Sequence, residues 1–139
     1  MDRMAIHPSD PPADVRAFLA ERHLATLTTR RADGSLHVVP VGFSYDPEHR
    51  LVRIIARADS QKVRNIEAGP GGRAAVCQVD GGRWLTLEGA AEVTTVSERV
   101  AIAVDGYAKR YRHPHERADR VVIEISVDRI MGRAGRQRP

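Results

Sequence analysis

Two Asp-Gly turns do most to limit what this chain can become. In "TLTTRRADGSLHVV" and in "CQVDGGRWLTL", Asp-Gly stands between runs of β-branched and aliphatic residues, the pattern of paired strands joined by a tight turn. Two further runs, "RLVRIIAR" and "RVVIEISVDRIMG", bring the strand-like segments to six. Their residues alternate. Leu85, Leu87, Ala91 and Val93 fall on one face, Thr86, Glu88, Glu92 and Thr94 on the other, and Val121, Ile123, Ile125 and Val127 repeat the same period. Six strands linked mainly by hairpins, with helices between some of them, predict a mainly β fold, a six-stranded antiparallel barrel with short helices, and argue against a βαβ array. Residues 1–139 are expected to form one domain.

Three stretches carry helical spacing instead. "SDPPADVRAFLAERH" offers Asp10 as N-cap, prolines in the first turn, and Val15, Phe18 and Leu19 on one face. "SQKVRNIEA" starts at Ser60, aligns Val63 with Ile66, and stops at "AGPGG". A longer helix is predicted from Ser97, its expected N-cap, to Arg110, with Val100, Ala101, Val104 and Ala108 on its apolar side. Residues 1–10 and the basic tail 133–139 are expected to be mobile. Pro40, inside "LHVVPVGFSY", lacks the N–H that a central strand donates, so it marks an edge or a bulge.

The formal charge of +4 favours anionic partners, but Phe, Trp and Tyr make up only 4% of the chain, too few for the stacking surface of a single-strand nucleic-acid binder. No nucleic-acid partner is expected. Cys77, the one cysteine, lies in apolar "RAAVCQV" and reads as a buried small hydrophobe in a reducing, cytoplasmic compartment. The first residues lack the apolar core of a signal peptide, and no apolar run is long enough to span a bilayer, so no membrane association is expected. Neither G-x-G-x-x-G nor a P-loop opens a helix, and no G-x-S-x-G marks a nucleophile. His113 and His115 have no Cys or carboxylate at ligand spacing, so no metal site is expected. No acid–base pair stands out, and the catalytic residues are not identified.

The strand-to-helix turn in "ADSQKVRNI" is the candidate site. The first N–H groups of a helix are unsatisfied and carry the positive end of its dipole, so they attract anions. Ser60 adds a hydroxyl, Lys62 a mobile ammonium, and Arg57 or Arg64 a second cation, the donors that a phosphate monoester needs. A capped surface helix with solvated charges fits the same residues.

Taken in order, "TLTTRRADGSLHVVPVGF", "ADSQKVRNI" and "VDGGRWLTLEGAAEV" resemble the pyridoxamine 5'-phosphate oxidase-like split-barrel superfamily. "SQK", "QVDGGRWLTLEG", "YAKRYRHP" and "RVVIEISVDRIMG" are similar to its actinobacterial flavin/deazaflavin oxidoreductases of the B type, nearest the group that reduces biliverdin with coenzyme F-420. The resemblance runs from about Leu24 to Gly132. It implies a Greek-key split barrel of the FMN-binding type, a homodimer, and a cofactor in the groove between two barrels. The phosphate would lie at Ser60 and Lys62, aided by Gln61 and Asn65, with Arg53 or Arg57 as the second cation. The backbone of Val38, Val39, Pro40, Val41 and Gly42 would pass along the tricyclic ring, and Gln78 and Trp84 would approach the groove. Arg64 is set aside, since helical spacing turns it from Lys62.

The implied activity is hydride transfer from carbon 5 of reduced F-420 to an unsaturated substrate such as biliverdin, a linear tetrapyrrole whose propionates suit the basic side chains near 107–117. An FMN-dependent oxidoreductase is the alternative, because the same turn can hold either cofactor's phosphate. A non-catalytic cofactor-binding or haem-binding split barrel is the third reading, although the chain has no long His-rich insertion or tail.

Overall fold

Both Asp-Gly turns fold as hairpins in the structure, a computed structural model that describes residues 5–135. Gly34 and Gly81 take φ values of 89° and 60°, which a residue with a Cβ rarely adopts, and Asp33 Oδ1 accepts hydrogen bonds from the Ser35 amide (2.9 Å) and hydroxyl (2.6 Å). The elements in order are β1 (Ala5–Ile6), α1 (Ala13–Ala20), β2 (Ala25–Arg30), β3 (Leu36–Val41), β4 (Ser44–Asp46), β5 (Leu51–Arg57), α2 (Gln61–Ala68), β6 (Arg73–Asp80), β7 (Arg83–Thr94), α3 (Ser97–Arg110) and β8 (Arg120–Arg133).

The strands pair antiparallel in the order β3-β2-β6-β7-β8-β5-β4, and β1 adds to β8. β3 and β4 stand at opposite ends of that path, yet only Gly42 and Phe43 separate them in the chain. The sheet must therefore curl until its ends meet, which closes the barrel. β5 lies beside β8 and the β6–β7 hairpin follows on β8's other side, a Greek-key arrangement.

The strand count is eight among the described residues, not the predicted six. One extra strand arises because "LHVVPVGFSY" breaks after Val41: the Phe43 N–H donates to the Tyr111 hydroxyl (3.2 Å) and its carbonyl accepts from Arg110 Nη1 (2.8 Å), so the end of α3 and its C-cap take the bonds a ladder would have used. The other is β1, within the stretch expected to be mobile; Ala5 and Ile6 pair with Met131 and Ile130. At the other end Arg133 belongs to β8 and Ala134 is buried, while 1–4 and 136–139 lie outside the described residues. Pro40 stands on the edge strand β3, opposite Thr26, where its missing N–H leaves no central ladder bond unmade.

The core gathers Phe18 from α1 with Leu27, Phe43, Ile54, Leu85, Leu87, Ile123, Ile125 and Ile130 from the barrel. Between Glu88 and Gly89 the β7–β8 register slips by one residue, so that Val127 and Ile130, an odd number of positions apart, both point inward. α1 starts later than Asp10 predicts, with Pro12 at its N-cap, and Asp10 lies 3.7 Å from Arg16 instead. Val96, not Ser97, is the N-cap of α3. The inward face of α3 also differs from the predicted Val100, Ala101, Val104 and Ala108. Ala103 is its buried residue, Arg99 bonds to buried Glu124, and Gly106 lies so close to β4 that a Cβ would meet Ser44 Oγ at 2.6 Å. Turning valines inward would leave the Glu124 carboxylate buried without a partner. Cys77 points to the outer face between Thr26 and Thr86 and is half-buried, not a core residue. Among the described residues no helix is long and apolar enough to cross a membrane.

Arg83 locks α1 to the β6–β7 hairpin. It donates to both carboxylate oxygens of Glu21 (2.8 and 2.9 Å), bonds Asp80, and lies 4.3 Å over the Phe18 ring. The Arg83 bonds to Glu21, with a smaller share from His23, bring the Glu21 carboxyl down from 4.5 to about 2. A depressed folded-state pKa stabilises above the unfolded value and loses that contribution as pH falls through the folded one. The denaturation midpoints of wild type and Glu21→Gln should therefore differ most above pH 4.5 and converge as pH falls towards 2. A gap unchanged across that window would contradict the assignment.

Candidate functional site

α2 follows β5 through Ala58 and Asp59, so the end of β5 and the start of α2 share one rim of the barrel. Ser60 occupies the N-cap position of α2. Its hydroxyl donates to the Arg57 carbonyl (2.8 Å) instead of accepting from the helix, which leaves the first-turn amides uncapped by that side chain. Beside this turn lies a cleft of about 360 Å³, bounded by Pro40, Val41 and Gly42 at the end of β3, by Ile55 and Arg57 of β5, and by the segment that leads into β8.

The cleft is strongly cationic. Arg57, Lys62, Arg112, Arg117 and Arg120 line it with His115, and no carboxylate does. Arg57 and Arg120 are directly opposite in the β5–β8 ladder, a like-charge pairing that costs stability unless an anion lies between or beside the two. Some of this charge is answered outside the cleft, where Arg57 is 3.8 Å from Asp59 and Arg117 3.2 Å from Asp119, while Arg120 donates to the His115 carbonyl at 2.7 Å. Lys62 has no hydrogen-bond or ion-pair partner among the described residues. Burial first, and then the charge of Arg57, push its ammonium below the ordinary lysine value. A half-buried ammonium without a counter-ion, in a cleft free of carboxylates, is suited to a phosphate or another multivalent anion. The cleft thus suits a phosphate, as the turn predicts, and Pro40 and Val41 give it an apolar side.

Of the predicted site residues, the cleft brings together Arg57, Lys62, Pro40, Val41 and Gly42, and Ser60, the N-cap two residues before Lys62, is not among those that line it. It does not bring in the rest. Gln61 Nε2 donates to Asn65 Oδ1 (2.6 Å), and buried Asn65 donates to Thr29 Oγ1 (3.0 Å), which pins α2 to β2; Asn65 and Thr29 border a separate hollow of about 540 Å³. Arg53 is held by Asp46 at 3.1 Å. Gln78 is fully buried and bridges the Phe18 carbonyl (3.1 Å) to Arg110 Nη2 (2.7 Å), so it cannot reach the groove of its own chain. Val39 packs on the core, Val38 points outward, and Trp84 lies half-exposed on the outer sheet face. Arg64 is exposed and bonds Gln61 at 2.9 Å.

Arg120 and Tyr107 are among the cleft residues that the sequence reading missed, with Ile55, Ala56 and Pro114. Arg120 becomes visible once β5 and β8 are placed in register opposite Arg57. Tyr107 is fixed by a 4.9 Å stack on Tyr111 and by Gly42, where a Cβ would meet the Tyr107 ring at 2.9 Å.

Comparison with known proteins agrees with this architecture. Residues 11–133 match the pyridoxamine 5'-phosphate oxidase family. The chain is 50% identical over 121 residues, 87% of each chain, to an F-420H2-dependent biliverdin reductase of Mycobacterium tuberculosis. A solved F-420 reductase superposes with a TM-score of 0.67 at 27% identity, over 83% of this chain and 94% of its own. A conserved hypothetical protein of Mycobacterium tuberculosis shares the fold, with a TM-score of 0.75 at 22% identity over 95% of this chain and 88% of its own.

Proposed function

The chain belongs to the pyridoxamine 5'-phosphate oxidase family, and on that premise we propose that it is a coenzyme F-420-dependent reductase that acts on a linear tetrapyrrole such as biliverdin. The half-identity to a reductase of that specificity carries this reading, and the cationic cleft supports it. Lys62, Arg57 and the first amides of α2, beside Ser60, hold the coenzyme phosphate; Pro40, Val41 and Gly42 border its ring. When bound in its reduced form the coenzyme supplies the hydride. The protein binds and orients the two reactants and shields the hydride from water. Arg112, His115 and Arg117 give the substrate carboxylates a basic rim. FMN, which also carries a phosphate, is the weaker ligand in this reading. Purified protein supplied with F-420H2 should bleach the long-wavelength absorbance of biliverdin; no change above the protein-free rate would overturn the substrate assignment.

The working form in this proposal is a homodimer, in the reducing cytoplasm that the lone Cys77 suits. Pro40, Thr26, Cys77, Thr86 and Met131 form one uncharged row across five adjacent strands, and exposed Val38 and Val79 flank it. An uncharged row that crosses five strands of the outer sheet face favours a second copy. Pro40 also borders the cleft, so in this proposal the coenzyme lies at the margin of that face. Light scattering on wild type should give twice the 15.4 kDa chain mass, and Thr86→Arg should shift it towards the monomer. A wild-type monomer at assay concentration would contradict the dimer.

A further inference from the structure

A second concavity, of about 600 Å³, runs between α3 and the segment entering β8, and Arg117 and Arg120 line both it and the cationic cleft. Val100, Ala101 and Val104 of α3 form its apolar side and Ala118 stands on the other. These α3 residues are left uncovered because the helix turns Arg99, Ala103 and Arg110 to the barrel. The proposed subunit row crosses β3, β2, β6, β7 and the Met131 end of β8, whereas α3 packs on β4, β5 and, through Arg99 and Glu124, the earlier part of β8, so a second copy there leaves this groove open.

We infer that the groove holds the apolar body of the acceptor, an extended conjugated molecule with carboxylates, its acid groups on Arg117 and Arg120 and its reducible portion reaching past them into the cleft. The inference rests on the reading of that cleft as the coenzyme site. Alkyl side chains on α3 suit a flat hydrocarbon surface, and guanidinium groups pair with carboxylates in a fork geometry. Glu116, the one carboxylate on the groove, repels an acid group placed away from the arginines and so favours one direction of entry. A ligand that is anionic but not apolar, such as an acidic coenzyme tail, gains nothing from the valines.

The test uses Val104→Asp and Val100→Asp, both half-exposed positions, with melting temperatures measured to confirm folding. Biliverdin binding is followed by its absorbance without coenzyme, and F-420 binding by fluorescence without biliverdin. A new carboxylate on the apolar side should weaken biliverdin by about tenfold or more and leave F-420 affinity within about twofold. Unchanged biliverdin affinity in both folded variants would overturn the inference. Loss of F-420 affinity with biliverdin unaffected would overturn it too, and would assign the groove to the coenzyme. Failure of wild type to bind F-420 would instead defeat the coenzyme reading, because the biliverdin titration reports on the groove independently.

Discussion

Gly89→Ala should destabilise the protein by about 3 kcal/mol, at the upper end of what overpacking costs, and lower its melting temperature by roughly 10 °C. Gly89 sits at the register slip between β7 and β8, where the two backbones approach so closely that a Cβ would lie 1.8 Å from the Ser126 carbonyl oxygen and 2.7 Å from its carbon. Both are main-chain atoms of a central strand, so no side chain can swing aside. Relief requires moving β8, which carries Ile123, Ile125 and Ile130 of the core. Gly82 is the control: a Cβ there meets nothing within 4 Å, and Gly82→Ala should melt close to wild type. Equal melting temperatures for the two variants, measured by circular dichroism, would show that the slip is not the tight contact described.

Lys62→Ala should weaken F-420 binding by about tenfold to a hundredfold, the range for losing a charge-assisted hydrogen bond to a phosphate. Its effect on stability should be opposite to that of a structural lysine. Lys62 has no partner among the described residues, and its ammonium is disfavoured by burial and by Arg57, so removing it relieves repulsion and leaves the melting temperature unchanged or higher. A variant that binds normally but melts lower would make Lys62 a structural residue and move the phosphate elsewhere. Paired with Gly89→Ala, this variant separates the site from the scaffold.

The barrel was readable because its signals are local. Asp33-Gly34 and Asp80-Gly81 specify turns through backbone conformation, and the alternation in "RWLTLEGAAEV" and "RVVIEISV" follows from burial on one face of a strand. The features that escaped depend on distant partners. The break at Phe43 exists because Arg110 and Tyr111 of a later segment capture its backbone groups. α3 turns by virtue of the Arg99–Glu124 pair, which helical periodicity in hydrophobic residues does not register. Arg110 itself, satisfied by the Glu21 and Phe43 carbonyls and Gln78, looks in the sequence like one more surface charge.

The candidate site divides in the same way. Arg57 and Lys62 were legible because the strand-to-helix turn fixes both within a few residues. Pro40 was legible as an anomaly in a strand. Arg53, Gln61, Asn65 and Gln78 are of the right chemical type, but Asp46, Thr29, Arg110 and the Phe18 carbonyl engage them, and those contacts are visible only in three dimensions. Arg120 is the converse case, a residue of no local interest that the β5–β8 register places against Arg57.

The most direct test of the coenzyme site is a pair of titrations of the purified wild-type protein, one with F-420 and one with FMN, each followed by cofactor fluorescence. Saturation by F-420 at roughly micromolar concentration or below, with FMN binding more weakly, is the predicted result. Absence of F-420 binding in that range, or tighter binding of FMN, would contradict it.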